Sequence, residues 1–465
     1  MSENPGANAP TVLLTTLAVY QTEFWLEVAA KLATVGYRCS FLSFDDRSTE
    51  MIRARGFEAF SCTESPRISV KDESQFQAVV ARYDITDPGY WLGHERMTFG
   101  ITDVQALRER LVNYLDFADR CCAELKARGP VVLIQEVGGF VCVIASYFAA
   151  RRQGIDNWFI EPSFFRGRLF FTRNTFAAPE PRTNGASISE EMSSYLKQTL
   201  AGRQIVVPLK DKHQYNVATR KIFNRRNSLR LVQKVIDKHL LGKHQEFGHI
   251  GHHVRTHLRM LASSMRLKKH YSGLEALQRF VYFPFHVPAD MALTLRAPEY
   301  LDQLALVDEL ARALPPGVKL AVKEHPAMIG AMNAQRLISL LKAHDNLVLL
   351  KPSCNNYDVL GRAELVVSVN SKSGAEALLA GTPVIALGDS FYRNSGLVHA
   401  AGTLADAKAL IHRLLGGAKE IPDSRRTEIF FQHVWESSLP GELFIANPEN
   451  ARLFGDSLIT ALAQA

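Results

Sequence analysis

Apolar residues along this chain follow two patterns in turn, short solid runs and stripes at helical spacing. TVLLTTLA, from Thr11 to Ala18, is apolar and β-branched and short enough to predict a buried strand rather than a helix. Helical spacing follows from Glu23 to Leu32, Gly36 stops it, and YRCSFLSF predicts a second strand. The rhythm returns with a helix around Val104 to Ala127, a Gly-Pro break and the strand VVLIQEV. A helix at about Phe140 to Arg152 then leads into NWFIEPSFF. Tight strand–helix–strand connections of this kind point to a parallel sheet covered by helices. No GxGxxG follows the first strand, so a dinucleotide-binding fingerprint is absent.

A second series begins near Arg279 with the strand FVYFPF and a helix from Tyr300 to Leu314, which Pro315-Pro316-Gly317 ends. VKLAVKEHP, NLVLL, LVVSV and PVIAL predict further strands, with helices between them that include Ala331 to Ala343 and Ser373 to Ala380. PENARLFGDSLITALAQ predicts a closing helix. The architecture expected is α/β, with two bodies of similar build facing a cleft. The boundaries expected are 1–202 for the first body, 276–425 for the second and 426–465 for a closing helical segment. Residues 203–275 between them read as a basic, largely helical insert.

Charge makes that insert distinctive. The chain carries a formal +7, yet from Arg203 to His270 sixteen Lys and Arg face three Asp and Glu, leaving the remainder at −6. In LRLVQKVIDKHLLGK, Leu231, Val232, Val235 and Ile236 form an apolar stripe, while Arg230, Lys234 and Lys238 recur on another face. So local a charge suggests an anionic partner at one place and no general nucleic-acid coat; anionic lipid or polysaccharide is the expected contact. His249, His252, His253 and His257 lie among Lys and Arg with no Cys nearby, so no metal is expected.

The rest of the composition narrows the class. With 47% hydrophobic and 22% charged residues, disorder, collagen and coiled coil are excluded. Six cysteines without a CxxC pair read as reduced, buried thiols of a cytosolic protein. No apolar stretch reaches the roughly 18 residues that span a bilayer. MSENPGANAP lacks a signal-peptide pattern, so a cytoplasmic location is expected, and the basic insert is expected to dock it peripherally on the inner face of the inner membrane.

Chemistry concentrates at predicted strand ends. In VKEHP, alternation sets Lys323 and His325 on one side and Glu324 on the other, and Pro326 turns the chain at the carboxyl edge where open α/β sheets bind ligands. Lys323 and His325 can both donate to a phosphate, and His325 can protonate a leaving group. Beyond LVVSV, Asn370, Ser371, Ser373 and Gly374 open a helix whose N–H groups suit a phosphate, with Glu376 one turn in to accept from sugar hydroxyls. Ser373 and Glu376 equally fit a ligand-free capping box. In the first body Glu136 and Glu161 end apolar runs, where a carboxylate can deprotonate a sugar hydroxyl. Arg166 and Arg168 can hold an anionic substrate, or one of them can pair with Glu161. No Ser-His-Asp arrangement or Walker sequence is present.

The stretch from VYFPFHVPAD through YLDQLALVDELARALPPGVKLAVKEHP to VSVNSKSGAEALLAGTPVIALGDSFYRNSG resembles bacterial capsule and surface-polysaccharide biosynthesis proteins. It is similar to the β-Kdo transferases of capsule assembly and, more remotely, to sialyltransferases and teichoic-acid polymerases. The HP and S-x-x-E-A-L-L-x-G-x-P-V motifs carry the resemblance over roughly Phe280 to Gly402, and the first half shares only layout. It implies a GT-B fold of two Rossmann-like domains, the first binding acceptor and the second a nucleotide sugar. It places His325 on the donor phosphate and Ser371, Ser373 and Glu376 around phosphate and ribose; Lys323, Glu324 and Pro326 are expected beside the donor as well. The transferases draw their base from E-[DE]-G-x-x-R; EPSFFRG keeps Glu161 and Arg166 but has Pro162 and Ser163 between them. Glu161 is the leading base and Glu136 the reserve.

The function expected is a metal-independent, inverting glycosyltransferase without a cofactor, acting in capsule or lipopolysaccharide-type polysaccharide synthesis. A nucleotide-activated sugar, for which CMP-Kdo is the implied example, would pass to a glycan or lipid-linked acceptor. Other polysaccharide-assembly proteins are expected partners and nucleic acid is not. Two further readings are a CDP-polyol-dependent phosphotransferase of the same fold and a non-catalytic scaffold that binds glycan or lipid carrier.

Overall fold

The first six strands are β1 (Thr11–Thr16), β2 (Cys39–Ser43), β3 (Glu58–Ser61), β4 (Val131–Glu136), β5 (Asp156–Pro162) and β6 (Arg168–Arg173), and they build one sheet in the order β3-β2-β1-β4-β5-β6. Pairing is parallel from β3 to β5, and β6 returns antiparallel. The computed structural model describes residues 10–182, 187–203, 209, 225–417 and 420–463, with the side chains of 225–231 outside that description. Every residue of β1 and β2 is buried, which is why they read as unbroken runs.

The second sheet holds β7 (Tyr271–Ser272), β8 (Phe280–Pro284), β9 (Lys319–Lys323), β10 (Leu347–Leu350), β11 (Leu365–Ser368), β12 (Val384–Ala386) and β13 (His399–Ala400), ordered β13-β12-β11-β8-β9-β10-β7. All its pairings are parallel. Apart from the edge strand β7, both sheets share one order: the first strand lies at the centre, the next two step one way, and the chain then crosses to the other side. That is the doubly wound Rossmann arrangement, and its ligand crevice lies where the order reverses. Here the reversals fall between β1 and β4 and between β8 and β11. Two such domains make the fold GT-B-like, as the sequence led us to expect.

Apolar layers cover both faces of each sheet. One of them joins the halves, because Phe164, Phe165 and Phe170 pack with Phe431, Ala375 and Leu378. The chain end also crosses back. β14 (Leu439–Pro440) adds antiparallel to β6, and in the helix Pro448–Ala463 Phe454 meets Phe24 and Trp25 edge-on. The insert contributes the helices Arg225–His239 and Ile250–Leu267, and the turn between them is tied to the first half. Arg110 bridges the buried Glu95 and Glu246, Tyr114 donates to Glu246 at 2.6 Å, and Lys243 pairs with Glu50 at 2.6 Å. All six cysteines are unbridged thiols, and burial pushes those of Cys39 and Cys122 up to about 12.

Candidate active site

At the second reversal the chain leaves β8 through Phe285 into His286, and leaves β11 through Val369 into Asn370. Both strands are fully buried, so their ends are rigid platforms. Asn370 N–H donates to His286 Nε2 at 3.1 Å, which puts the ring proton on Nδ1. That Nδ1 is buried with no hydrogen-bond partner, and so is Asn370 Oδ1, whose amide nitrogen donates to Ala292 O at 2.5 Å. An orphaned buried polar atom costs about 1–3 kcal/mol, which a bound ligand can recover. Burial, with His325 adding to it, pushes His286 down to about 3, so its ring is neutral.

His325 is half-buried, and its Nδ1 accepts from Ala327 N–H at 3.2 Å. Its proton therefore sits on Nε2, the atom that would donate to a leaving phosphate. Pro326 follows in the turn, where Met328 N–H closes onto His325 O at 2.8 Å. Lys323 is buried and donates to Cys354 O at 3.0 Å; burial lowers its ammonium to about 8. Asn356 donates to Glu376 at 2.6 Å and to Ser373 Oγ at 3.2 Å. Burial raises the Glu376 carboxyl, while the Asn356 bond and then Lys323 and Lys372 oppose the rise.

Three expectations need correction here. Glu324 faces the other way: it accepts from the Tyr271 hydroxyl and from Gly330 N–H at 2.8 Å, so it braces the loop after Pro326 instead of meeting a donor. The helix Lys372–Leu379 is capped by Ser371, whose Oγ accepts from Ser373 N–H at 3.2 Å, so Ser373 and Glu376 form no capping box. Gly374 N–H bonds Ser371 O at 3.0 Å, so two of the N–H groups expected to meet phosphate are already engaged. A Cβ at Gly374 would meet the Tyr392 ring and hydroxyl, so close packing explains this glycine.

The first half departs further from expectation. Glu161 accepts from both Arg296 nitrogens, at 2.6 and 3.0 Å, with the two side chains 15% and 7% exposed. Arg296 also donates to Phe176 O and Ala177 O. The pair thus ties the halves together, and neither Arg166 nor Arg168 is the partner. Arg168 lies 4.0 Å over the Trp435 ring and donates to Ser438 Oγ and Trp435 O, and burial lowers it to about 10. It anchors the returning chain end, while Arg166 is exposed.

Glu136 sits differently. It ends β4 at the first reversal and lines a cavity of ≈ 270 Å³. Thr15, Gln21, Gln135 and Gly138 line it from the first half, and Ala289, Asp290 and Met291 from the loop after β8. Thr15, Thr98 and Gln135 are among the residues that line this space, and their Oγ1, Oγ1 and Oε1 atoms are buried without hydrogen-bond partners. Ala289 holds φ at 59°, a left-handed conformation uncommon for a residue with a side chain. His94, in the cavity wall, bonds Thr294 Oγ1 at 2.9 Å, and burial pushes it down to about 4.

Sequence reasoning missed His286, Arg296, Asn356 and Lys372. His286 had a signal in HVPAD, directly after the central strand. Lys372 donates to Ser163 O across the halves at 2.7 Å, a contact without a local pattern. In the insert, the Arg230 side chain lies outside the described residues. Lys234 is exposed, and Lys238 donates to Gly248 O at 2.7 Å. No group of three metal-ligating side chains occurs among the described residues.

The model of the family described as capsule polysaccharide biosynthesis protein matches residues 144–410, which contain His286, Arg296, His325 and Asn370 but not Glu136. Protein FixF of Sinorhizobium fredii (strain NBRC 101917 / NGR234) is 28% identical over 183 residues, 39% of this chain and 43% of that protein. The chain thus matches less than half the length of that relative. Among solved structures, the β-Kdo 2,7 transferase of Thermosulfurimonas dismutans KpsC is 16% identical, with a TM-score of 0.35 over 75% of this chain and 89% of that one. The β-Kdo 2,4 transferase of the same protein is 13% identical, with a TM-score of 0.33 over 71% and 86%.

Proposed function

Since the chain belongs to the capsule polysaccharide biosynthesis protein family, we propose that it transfers a sugar from a nucleotide-activated donor to a growing surface glycan or its lipid-linked precursor. The observation that carries this reading is the cavity walled by both halves, in which the first reversal faces the loop that leaves the centre of the second sheet. The nucleotide lies over the second reversal. There His286 Nδ1–H and Asn370 Oδ1 offer one donor and one acceptor, and His325 Nε2–H meets the phosphate that departs. Lys323 and Lys372 add positive charge behind it, which suits a CMP-linked acidic sugar such as Kdo.

The acceptor lies in the cavity, and Glu136 takes the proton of the attacking hydroxyl. Glu136 is preferred to Glu161 because it lines the cavity, within reach of an acceptor hydroxyl, whereas Glu161 is outside that lining and holds Arg296 through both oxygens. Attack from the face opposite the phosphate inverts the anomeric centre. Acid–base and hydrogen-bonding groups alone carry these steps, so activity is expected to survive chelators.

Calorimetry against CMP, CDP and UDP, with His325→Ala beside the wild type, tests the reading. Binding of one nucleotide is expected, with turnover lost in the variant. No affinity for any of the three would favour a scaffold, and a phosphodiester in the product would favour transfer of a polyol phosphate.

A further inference from the structure

The helix Ile250–Leu267 lies across both halves. His249, just before the helix, stacks on Phe99 at 4.3 Å; the inner face of the helix itself carries His252 against Gly100 and the fully buried Leu267, and its Met260 turn meets Gly330. A helix advances about 100° per residue, which fixes what the opposite side presents. Val254, Leu258 and Met265 fall on one line directly opposite that inner face, and they are 42%, 56% and 63% exposed. Arg255, Arg259 and Arg266 form a parallel line about 100° around the helix. All three are exposed, and none forms an ion pair among the described residues. In the neighbouring helix Arg225–His239, Val232 and Val235 are exposed as well, and so are Leu240 and Leu241 after it.

We propose that this face lies in the plane of an anionic bilayer surface, with Val254, Leu258 and Met265 entering the headgroup–acyl boundary and the arginines beside them on lipid phosphates. An apolar crest flanked by basic residues is the signature of an interfacial helix. A nucleic acid would meet basic residues at the crest, since its affinity comes from phosphate contacts. Charge complementarity selects the anionic surface, because the segment from Arg203 to His270 holds sixteen Lys and Arg against three Asp and Glu. The contact thus centres on this helix, beyond the Arg230, Lys234 and Lys238 face. It adds an apolar component that charge alone did not suggest. No helix among the described residues is long and apolar enough to cross a membrane, so the docking is peripheral.

The test uses the full chain and vesicles of phosphatidylcholine with or without phosphatidylglycerol, and it needs no turnover. Wild-type protein is expected to sediment with the anionic vesicles only. Leu258→Ser with Met265→Ser should weaken that binding about tenfold or more, with an unaltered salt slope. Arg255→Glu, Arg259→Glu and Arg266→Glu together should abolish the preference for anionic lipid. Leu258→Trp should tighten binding severalfold while the variant stays in the supernatant when no vesicles are present, which separates the gain from aggregation. Wild-type protein that ignores anionic vesicles, or a double serine variant that binds like wild type, would overturn the proposal. So would loss of self-association in the serine variant without loss of vesicle binding, which would make this face a contact between two copies of the chain.

Discussion

At the second reversal His286, Asn370 and Ser371 hold one another and their neighbours, whereas at the first Thr15, Gln135 and Glu136 line a cavity of ≈ 270 Å³. The strand order is the same, so the topology offers the same crevice twice. The difference lies in what fills it. The first crevice holds a cavity lined by Gly138 and Gly139 beside aromatic side chains such as Phe140 and Phe247. In the second, the Ser371 cap and the Asn370 bonds to His286 and Ala292 engage most polar groups and leave two orphaned atoms. A nucleotide is a constant partner and suits a preset surface. An acceptor must enter, be aligned and leave, and an open cavity serves that better.

The largest effect should come from the base. Glu136→Gln keeps size and shape but cannot take a proton, so kcat is expected to fall by about 10²–10⁴-fold with nucleotide affinity unchanged. Glu161→Gln should keep kcat within about tenfold, because its carboxylate serves the tie to Arg296. If Glu161→Gln instead abolishes turnover and Glu136→Gln does not, the base lies at the end of β5 and the sequence-based ranking of the two carboxylates returns.

Arg296→Ala probes the tie that sets the crevices opposite each other. It leaves the Glu161 carboxylate 15% exposed without its cation, and two carbonyls without their donor. A loss of about 3 kcal/mol or more in denaturant unfolding is expected. Pairing it with Glu161→Leu should restore part of that loss, since removing both charges removes the unpaired one.

His286 allows the rigid crevice to be followed by pH. Its folded pKa of about 3 lies far below the ordinary value of 6.5. Between these values the unfolded chain binds a proton that the folded chain refuses, so this stabilising contribution is present above pH 6.5 and is lost as pH falls. The loss from this residue is about 2 kcal/mol by pH 5. His286→Asn should flatten that part of the pH–stability curve, and unfolding at pH 7.5 and pH 5 measures it. An unchanged slope would mean that the ring is protonated in the folded chain and does not accept from Asn370.

Central strands were legible because both their faces are buried: β1, β4, β8 and β11 read as largely apolar runs, and β9 as a short apolar run between Lys319 and Lys323. β3, with a first residue exposed and the next two half-buried, and the two-residue β14 were not legible, because partners far along the chain define them. His325 was found because Pro326 marks a strand end. Arg296 was missed because its partner lies 135 residues away in sequence. The S-x-x-E pattern misled because local spacing cannot tell which serine opens the helix. Asn356, brought in from another segment, claims Glu376.

The smallest expected change separates the crevices most cleanly. Thr15 Oγ1 is buried in the cavity wall without a partner, so in the free protein it carries a desolvation cost. Thr15→Val replaces that hydroxyl with a methyl of nearly the same shape. A stabilisation of up to about 1 kcal/mol is expected, because an unmade bond is removed and none is broken. The acceptor KM should rise, since the hydroxyl then no longer greets a sugar, while kcat and nucleotide affinity stay where they were. At the second crevice the corresponding change, Ser371→Ala, should do the reverse: it removes a helix cap and costs about 1 kcal/mol of stability. A Thr15→Val variant that loses stability would mean that its hydroxyl is bonded in solution, and the open crevice would then be as self-contained as the closed one.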